Sequence, residues 1–425
     1  MPDMSLPRGT RDLMPNEAFF RTVLIEKIER IFRLYGFLVI DTPMLEKLDV
    51  LKAKGGIGDD AKLIFEIKDD DCGLRYDQTL SLARYMVMHN EMPLPFKRYS
   101  IGRVWRREEP QKMRYREFMQ ADIDIVGGDE VKADAEVIAA GCSIFDAIGI
   151  GYRVDINNRA MTDELFKKLG VNDSLVAQAM RTLDKLDKIG GDKVAEQLVL
   201  IGIQKDIVEK IMLIINSNST NADTLSKIDN ILGHKKYSSQ LNETIDLIKQ
   251  YGITGNIVIS PWVMRGIDYY TGIVFEIRLQ NGSYNTSALG AGGRYDSLIG
   301  ALGSKSMPAV GMGIGLNRLL DILEYSNSPE YGFTRVLVVP IKQEHYTYAL
   351  SVAKSLRSAG VETDIAISSR NLKNQLSYAS AIKVGHVIIV GDSEVRDKKL
   401  MFRDMSNGSE NLISIDEAIA LIKGN

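Results

Sequence analysis

The stretch REFMQADIDIVG, residues 116–127, alternates polar and apolar side chains with a period of two. Successive side chains of a β-strand point to opposite faces of the sheet, so this pattern predicts a strand with one apolar and one polar face. The apolar face carries the odd positions Met119, Ala121, Ile123 and Ile125. The polar face carries the even positions Arg116, Phe118, Gln120, Asp122 and Asp124. We therefore expect one side of this strand to pack on a core.

The polar face of this strand has two interpretations. An edge hairpin with salt-bridged outer residues is common in proteins. A solvent-facing strand, however, seldom needs a phenylalanine between an arginine and a glutamine, which favours a functional face. On such a face an arginine binds phosphate or carboxylate and a phenylalanine stacks on a planar base. Carboxylate and amide groups bind an ammonium group or a ring N–H, so the pattern favours a site for small polar ligands.

The preceding stretch KRYSIGRVWRRE, residues 97–108, predicts the partner strand of a hairpin with a charged loop. One of its faces carries the even positions Gly102, Val104, Arg106 and Glu108. From position 97 to position 116, eight lysines and arginines stand against two glutamates, a local charge of +6. Such a cluster binds phosphate when it folds onto one face, and a solvated charged hairpin is the alternative. Charge alone leaves both open.

Length and composition bound the class of protein. A chain of 425 residues suggests about two to four domains, and 45% apolar with 26% charged residues is typical of a soluble globular protein. No run approaches the roughly 18 apolar residues that cross a bilayer, and the first residues lack the apolar segment of a signal peptide. Cys72 and Cys142 lie far apart and the four histidines are scattered, which predicts neither a disulfide framework nor a zinc site. These features predict a cytoplasmic protein without a structural metal, and a net charge of −3 gives no overall indication of nucleic-acid binding.

Changes of pattern along the chain predict four segments. Residues 1–158 mix helix and strand patterns, whereas residues 159–252 are amphipathic helical patterns with almost no strand signal, which predicts a helical insertion. Residues 253–326 return to strand patterns, so they and the first segment are expected to form one discontinuous domain. Residues 333–425 alternate short apolar strands with helices, which predicts a small α/β domain.

A glycine-rich stretch, AVGMGIGLNRLLDIL at residues 309–323, follows a related one, SALGAGGRYDSLIGAL, at 287–302. Alternating glycines at 311, 313 and 315 indicate close approach by a ligand or another backbone, and tight strand packing without a ligand remains the alternative. Arg318 lies in the first turn of the next predicted helix, where it can point at a phosphate. The spacing G-x-G-x-G, instead of G-x-G-x-x-G, argues against a dinucleotide-binding loop.

The stretch RGIDYYTG, residues 265–272, begins a predicted strand with residues unsuited to a core. Period-two counting places Asp268 and Tyr270 on one face, and the arginine and Tyr269 on the other. If both faces serve one site, the chain must bend at Gly266 or the site must wrap around the start of the strand.

Together these stretches resemble the histidyl-tRNA synthetase family, which belongs to the class II aminoacyl-tRNA synthetases, over nearly the whole chain and in the same order. The motifs that carry the resemblance are PRGTRDLMP, the helix running to Pro43 (motif 1), VWRREEPQKMRYREFMQADIDIVG (motif 2), RGIDYYTG (the histidine-specific signature) and AVGMGIGLNRLL (motif 3). The resemblance implies an α+β catalytic core with a mostly antiparallel sheet, built from 1–158 and 253–326. It also implies a helical insertion at 159–252 and a C-terminal α/β anticodon-binding domain at 333–425.

The resemblance further implies a reaction. The carboxylate of histidine attacks the α-phosphorus of ATP, giving histidyl-adenylate and pyrophosphate, and a ribose hydroxyl of tRNA(His) then takes the acyl group. The implied catalytic residues, which neutralise charge on the α-phosphate, are Arg106 and Arg265. The residues implied to bind ATP are Arg106, Glu108, Arg114, Tyr115, Phe118 and Arg318. The residues implied to bind histidine are Asp77, Thr79, Arg106, Gln120, Asp124, Arg265, Tyr269 and Tyr270.

The same resemblance implies the partners. Mg²⁺ is expected on the ATP phosphates. The acceptor end of tRNA(His) is expected to meet the loop from Gln111 to Arg116, and motif 1 implies a homodimer. Departures from the commoner family pattern lie at Tyr76, Asp77, Asp124 and Asn317.

A second function, from another class, is a non-catalytic synthetase-like regulatory subunit of histidine biosynthesis, which binds histidine without activating it. Such relatives typically lack the terminal domain and have eroded motif arginines. Here Arg106, Arg265, Arg318 and Gln120 are all present, as are residues 335–425, which favours the ligase.

Overall fold

The structure is a computed structural model that describes residues 2–53, 62–111, 113–215, 220–264, 269–280, 288–303, 305–324, 336–368 and 371–424. The chain divides into two units, the first made of residues 1–12 and 23–326 and the second of residues 13–22 and 327–425. Among the described helices, none has the length and apolarity that a membrane crossing requires.

The first unit contains eleven named strands among its described residues. They are β1 Leu38–Val39, β2 Leu45–Lys47, β3 Phe65–Glu66, β4 Cys72–Leu74, β5 Phe96–Trp105, β6 Glu117–Val126, β7 Tyr152–Asn158, β8 Asn256–Ile259, β9 Ile273–Leu279, β10 Gly290–Arg294 and β11 Ala309–Gly315. Its helices are α1 Pro15–Leu34 (which begins in the second unit), α2 Leu48–Leu51, α3 Thr79–Met88, α4 Glu130–Ile148, α5 Arg159–Leu169, α6 Asp173–Leu183, α7 Leu186–Ile189, α8 Gly191–Leu200, α9 Lys205–Ile215, α10 Asn221–Leu232, α11 Lys236–Gln250, α12 Leu298–Ala301 and α13 Leu316–Glu324.

Eight of these strands form one sheet in the order β1-β5-β6-β11-β10-β9-β7-β8. The five inner pairs are antiparallel, and only the two edge pairs, β1 with β5 and β7 with β8, are parallel. The α+β core with a mostly antiparallel sheet, predicted from the sequence, is confirmed. Strands β2, β4 and β3 form a separate small sheet.

The apolar face of the large sheet packs on helix α4. Ala121, Ile123 and Ile125 of β6 are buried, as the period-two pattern predicts. The helix approaches closely, because a Cβ atom on Gly141 would lie 2.5 Å from Met312 Sδ of β11. Burying each large aliphatic side chain contributes roughly 1.5–3 kcal/mol, so this face fixes which side of β6 points inward.

The polar face of the same sheet is also buried at its centre. Asp122 and Asp124 are each only 2% exposed, although they lie on the polar face of their strand. The segment between β4 and α3 packs on this face through the buried side chains of Arg75 and Gln78. A covered polar face restricts access to the carboxylates and makes their hydrogen bonds important.

The described residues between β7 and β8 are helical, from α5 to α11. Asparagine and threonine side chains at 158, 172 and 220 cap α5, α6 and α10 by accepting hydrogen bonds from main-chain N–H groups. Helices α5 to α9 share a core that includes Phe166, Leu183, Leu198 and Ile211. These residues give the helical segment an apolar core of its own.

The second unit has its own five-stranded sheet, in the order β13-β12-β14-β15-β16. Its strands are β12 Val336–Pro340, β13 Thr363–Ile365, β14 His386–Val390, β15 Leu400–Asp404 and β16 Glu410–Ile413. Its helices are a 3₁₀ turn at Gln343–His345 and α14 Tyr346–Ser358, α15 Leu372–Ala381, α16 Asp392–Asp397 and α17 Ile415–Lys423. The α/β domain predicted at the C-terminal end is confirmed as a fold.

Candidate active site

The centre of the polar face is built where β6 lies against the glycines of β11. Gly311 lies opposite Asp124, Gly313 opposite Asp122 and Gly315 opposite Gln120. A Cβ atom on Gly313 would lie 2.5 Å from Gln120 Nε2 and 2.6 Å from Asp122 Oδ1. Side chains of the neighbouring strand therefore lie flat over the glycines, and this close approach explains Gly311 and Gly313. At Gly315, by contrast, a Cβ atom would meet no described atom within 4 Å.

Asp124 is held by two buried partners. Arg98 of β5 lies directly opposite it, and Arg98 Nη2 is 2.6 Å from Asp124 Oδ2. The Tyr295 hydroxyl donates a hydrogen bond of 2.5 Å to Asp124 Oδ1. Burial raises the pKa of the Asp124 carboxyl, while Arg98 and the Tyr295 hydroxyl oppose that rise. The carboxylate is consequently fixed in one orientation on the site face.

The segment that carries Asp77 and Thr79 is fastened to the sheet by the residue between them. Gln78 Nε2 donates to the main-chain oxygen of Gln120 at 3.0 Å, and Ser100 Oγ donates to Gln78 Oε1 at 2.7 Å. Asp77 Oδ1 accepts from the main-chain N–H of Leu80 at 3.1 Å in the first turn of α3. These hydrogen bonds anchor the segment that carries Asp77 and Thr79 to β6 at Gln120.

Arg75 also anchors this segment, through hydrogen bonds to neighbouring main-chain oxygens. It is 1% exposed, and its guanidinium donates to the main-chain oxygens of Arg103 and Thr42, each at 3.0 Å. Its position depends on Gly102, because a Cβ atom there would overlap the Arg75 guanidinium. Burial lowers the pKa of Arg75, and nearby Asp122 opposes that shift.

Three tyrosines form the adjacent wall. The Tyr269 ring lies 4.9 Å from the Tyr270 ring and 5.8 Å from the Tyr295 ring, between centroids. The Tyr269 hydroxyl shares a hydrogen bond with the Thr79 side chain, and burial raises the pKa of Tyr269 well above its ordinary value. The Tyr270 ring lies over Gly293 of β10, where a Cβ atom would be 2.7 Å from the ring. The structure thus brings Thr79, Tyr269 and Tyr270 together beside Asp124.

Three carboxylate oxygens at this centre are buried without a hydrogen-bond partner among the described residues: Asp77 Oδ2, Asp122 Oδ2 and Asp124 Oδ2. Of these, Asp124 Oδ2 has an ion-pair contact with Arg98 Nη2 at 2.6 Å. Burial raises the pKa of Asp77, and the neighbouring Arg106 opposes the rise. Burial raises the pKa of Asp122 to about 7, with Arg98 opposing and Asp124 adding to the shift. A buried acceptor without a donor is costly, so this centre is complementary to a ligand that carries N–H groups or positive charge.

The predicted nucleotide residues lie on the neighbouring part of the hairpin. Arg106 Nε donates to the Tyr76 main-chain oxygen at 3.0 Å, and its guanidinium carbon is 5.2 Å from the Phe118 ring centroid. Glu108 pairs with Arg114, whose Nε is 3.2 Å from Glu108 Oε2. A planar cation beside an aromatic face is suited to a nucleotide, because one binds phosphate and the other stacks on a base.

Tyr115 and Arg318 form contacts that the sequence did not predict. The Tyr115 hydroxyl donates to Asp321 Oδ2 of α13 at 3.1 Å, and the Arg11 guanidinium lies 5.2 Å from the Tyr115 ring centroid. Arg11 also pairs with Asp321 at 3.0 Å. Arg318 Nη1 donates to the Ala288 main-chain oxygen at 2.5 Å. The hairpin loop is thereby connected both to α13 and to the N-terminal segment.

Three predicted features fall outside the described residues, and four residues of the candidate site were not predicted. Arg265, Asp268 and the bend at Gly266 lie outside the described residues. Sequence reasoning missed Arg98 and Ser100, although extending the period-two count back along β5 places both on the polar face. It also missed Gln78 and Tyr295, for which no pattern gave a signal.

One group of three possible metal ligands occurs among the described residues, in the second unit: Glu344, His345 and Asp392. Lys342 Nζ lies 2.9 Å from Asp392 and 3.4 Å from Glu344. The lysine already supplies a cation to both carboxylates, so this cluster does not indicate a metal site.

Comparison with known proteins gives a consistent result. Residues 9–319 match the family model of histidyl-tRNA synthetase, and residues 335–425 match that of an anticodon binding domain. The chain is 36% identical to a histidine–tRNA ligase of Pyrococcus furiosus, with 98% of each chain covered. It is 38% identical to that of Korarchaeum cryptofilum, with 92% of each covered. The crystal structure of histidyl-tRNA synthetase from Nostoc sp. PCC 7120 shares 29% identity and a TM-score of 0.87, with both chains covered in full.

Proposed function

The chain belongs to the histidyl-tRNA synthetase family, and from this premise we propose that it is a histidine–tRNA ligase. It activates histidine with ATP to histidyl-adenylate and transfers the histidyl group to tRNA(His). The observation that carries the proposal is the buried acceptor centre, where Asp77 Oδ2 and Asp122 Oδ2 lack donors and Asp124 is fixed between Arg98 and Tyr295. Histidine supplies the matching donors, an α-ammonium group and an imidazole N–H.

In this proposal Asp77, Thr79 and Gln120 hold the α-ammonium group. Asp124 and Tyr270 grip the imidazole ring, with Tyr269 beside them. The support is geometric, because Gln78 fastens the 77–79 segment to β6 at Gln120 and the tyrosine wall lies beside Asp124. A side chain without a ring N–H would leave Asp124 Oδ2, which has no hydrogen-bond donor among the described residues, without that donor. Such penalties give the largest discrimination between substrates.

Arg106 and Arg265 are proposed to hold the carboxylate of histidine and the α-phosphate together. No covalent enzyme intermediate is needed, so catalysis consists of positioning the two substrates and neutralising charge that grows on the phosphate. The Arg106 guanidinium is oriented for this role by its hydrogen bond to the Tyr76 main-chain oxygen. Arg265 lies outside the described residues, and its role rests on the family motif alone.

ATP is proposed to bind along the rest of the hairpin. Phe118 stacks on adenine and Glu108 accepts from its amino group, with Arg114 and Tyr115 at the nucleotide edge. Arg318 serves the γ-phosphate from the start of α13. Mg²⁺ enters bound to the ATP phosphates as part of the substrate, because it keeps phosphate and water ligands in such sites, and we assign no protein ligand to it.

The tRNA is proposed to contact two parts of the chain. Its acceptor end meets the loop from Gln111 to Arg116, and residues 333–425 serve as the anticodon-binding domain, in line with the family match of residues 335–425. We assign residues 1–158 and 253–326 to the catalytic core and residues 159–252 to a helical insertion domain, which the separate apolar core of α5 to α9 supports.

A cytoplasmic homodimer is the proposed working form. The edge strand β1 exposes two adjacent apolar side chains, Leu38 at 61% and Val39 at 65%, and Leu34 at the end of α1 is 72% exposed. Exposed apolar groups on a sheet edge are suited to pairing with another chain. Measuring the molar mass in solution tests the dimer.

Two assays test the reaction. Histidine-dependent exchange of labelled pyrophosphate into ATP reports the activation step, and attachment of labelled histidine to tRNA(His) reports the transfer step. Activity in both supports the ligase, whereas histidine binding without exchange would favour a regulatory subunit.

A further inference from the structure

Asp122 is a buried carboxylate at the centre of the proposed histidine site to which the family resemblance gives no role. It lies on β6 between Ser100 of β5 and Gly313 of β11. Its side chain is on the same sheet face as Gln120 and Asp124, and the residue is 2% exposed. An ionisable group so deeply buried destabilises a fold unless its contacts compensate.

The contact that Asp122 makes determines how Gln120 is oriented. Gln120 Nε2 donates to Asp122 Oδ1 at 2.7 Å. An amide that donates through its nitrogen presents its oxygen, Oε1, as an acceptor. The main chain at Gln120 is fixed independently, because its carbonyl oxygen accepts from Gln78 Nε2.

The missing side chain of Gly313 makes this arrangement possible. A Cβ atom there would lie 2.5 Å from Gln120 Nε2 and 2.6 Å from Asp122 Oδ1. Both side chains therefore lie over the same glycine, where the hydrogen bond between them joins them.

We propose that Asp122 is a positioning residue that holds Gln120 as a hydrogen-bond acceptor for the α-ammonium group of histidine. The inference rests on the proposed function and adds one residue to it. Asp122 acts through Gln120, while its second oxygen, Oδ2, adds negative charge to a centre that receives a cation.

The groups that face Asp122 come from three elements. They are Arg98 and Ser100 on β5, Gln120 and Asp124 on β6, and Arg75, Asp77 and Gln78 before α3. Burial raises the pKa of Asp122 to about 7, with Asp124 and Asp77 adding to the rise and Arg98 and the Gln120 amide opposing it. Acidification below pH 7 therefore neutralises the carboxylate and weakens its hold on the Gln120 amide, because hydrogen bonds to charged groups are the stronger ones.

The test compares Asp122→Asn with the unsubstituted enzyme in histidine-dependent pyrophosphate exchange between pH 6 and pH 8. Asparagine has nearly the same shape and stays neutral at every pH. At pH 8 we expect KM for histidine to rise about tenfold, with KM for ATP changed less than about twofold. As pH falls to 6, the ratio of the two histidine KM values should shrink toward one. Titration of the imidazole of free histidine affects both proteins equally and cancels in that ratio.

A matched control is Asp155→Asn, which also removes a buried carboxylate from the same sheet face. Asp155 on β7 pairs with Arg153 and Arg278, four strands from β6 and roughly 19 Å away. This variant should keep the unsubstituted KM for histidine at every pH. A histidine KM ratio for Asp122→Asn that stays near one, or that does not vary with pH, would overturn the inference. Absence of histidine-dependent exchange in the unsubstituted enzyme would instead overturn the proposed function.

Discussion

Gly311 lies directly opposite Asp124 in the β6–β11 pair, and a Cβ atom on Gly311 would overlap Asp124 Oδ1. The carboxylate therefore occupies the space that any other residue at 311 would fill. Because Asp124 is also held by Arg98 and Tyr295, it has little room to move away. Residue 311 must therefore be a glycine if Asp124 on the neighbouring strand is to keep its position.

Gly311→Ala is expected to displace Asp124 and to weaken histidine binding. We expect KM for histidine in pyrophosphate exchange to rise by about tenfold or more, because loss of one hydrogen bond to a charged group costs about 1.5–3 kcal/mol. Gly315→Ala controls for adding a methyl group to the same strand, since a Cβ atom there meets no described atom within 4 Å, and its melting temperature should stay unchanged. An unaltered histidine KM in Gly311→Ala would contradict the role of Asp124.

Tyr295→Phe removes one of the two partners of Asp124 and keeps the ring. The loss of this donor should raise KM for histidine about tenfold or more, since the hydroxyl donates to a carboxylate and a hydrogen bond to a charged group contributes about 1.5–3 kcal/mol. Tyr152→Phe is the matched control, because the Tyr152 hydroxyl donates to another aspartate, Asp146, at 3.1 Å. Equal effects of the two substitutions on histidine KM would show that Tyr295 has no special part in the site.

Arg106→Lys keeps a positive charge but loses the planar fork and the contact with Phe118. We expect kcat for exchange to fall about 10²- to 10³-fold, the usual effect of losing a group that stabilises charge in the transition state. Arg103→Lys is the control on the preceding strand, β5, because Arg103 pairs with Glu117 and its side chain is 47% exposed. If Arg106→Lys retains near-normal kcat, the assigned role of Arg106 is wrong.

Asp122→Asn should also change the pH dependence of stability. Burial raises the pKa of Asp122 from 3.8 to about 7 in the folded chain, so the folded state prefers the protonated form. Well below pH 3.8 the group is neutral whether the chain is folded or unfolded. As pH rises from 4 to 7, the unfolded chain ionises first and the folded chain loses stability, by a few kcal/mol in order of magnitude.

The asparagine variant avoids that loss, so its melting temperature should exceed that of the unsubstituted protein by an amount that grows from pH 4 to pH 7 and then levels off. Asp246→Asn, at a side chain that is 68% exposed, should show no such trend. A stability difference independent of pH would mean that Asp122 does not carry the buried proton. Stability lost to a buried acid is a common consequence of a functional site.

Much of the site face was predictable from local sequence, and its cover was not. Period-two counting on β6 separated Gln120, Asp122 and Asp124 from the residues that pack under α4, because strand geometry is local. The motif resemblance then predicted Asp77, Thr79, Tyr269 and Tyr270 as further residues of the site. No local pattern pairs β6 with the glycines of β11, since residues 124 and 311 are far apart in sequence and their register is set by the whole sheet.

Contacts between residues far apart in sequence also explain the other features of the site that the sequence did not predict. Tyr115 was expected at the nucleotide edge. Its hydroxyl donates to Asp321 and its ring contacts Arg11, two residues that lie near opposite ends of the first unit's sequence. In the sequence alone, nothing shows that the charged side chains of Arg98 and Asp124 form a buried pair. Only the folded structure, in which the segment before α3 covers this face, shows that these charges are removed from water.

Pyrophosphate exchange into ATP, measured separately with each of the twenty amino acids, is the most direct test that histidine is the amino acid this site activates. We expect exchange with histidine alone, because the fixed Asp124 carboxylate and the acceptors at Asp77 and Gln120 require both an α-ammonium group and a ring N–H. Exchange with another amino acid, or histidine binding without any exchange, would contradict it.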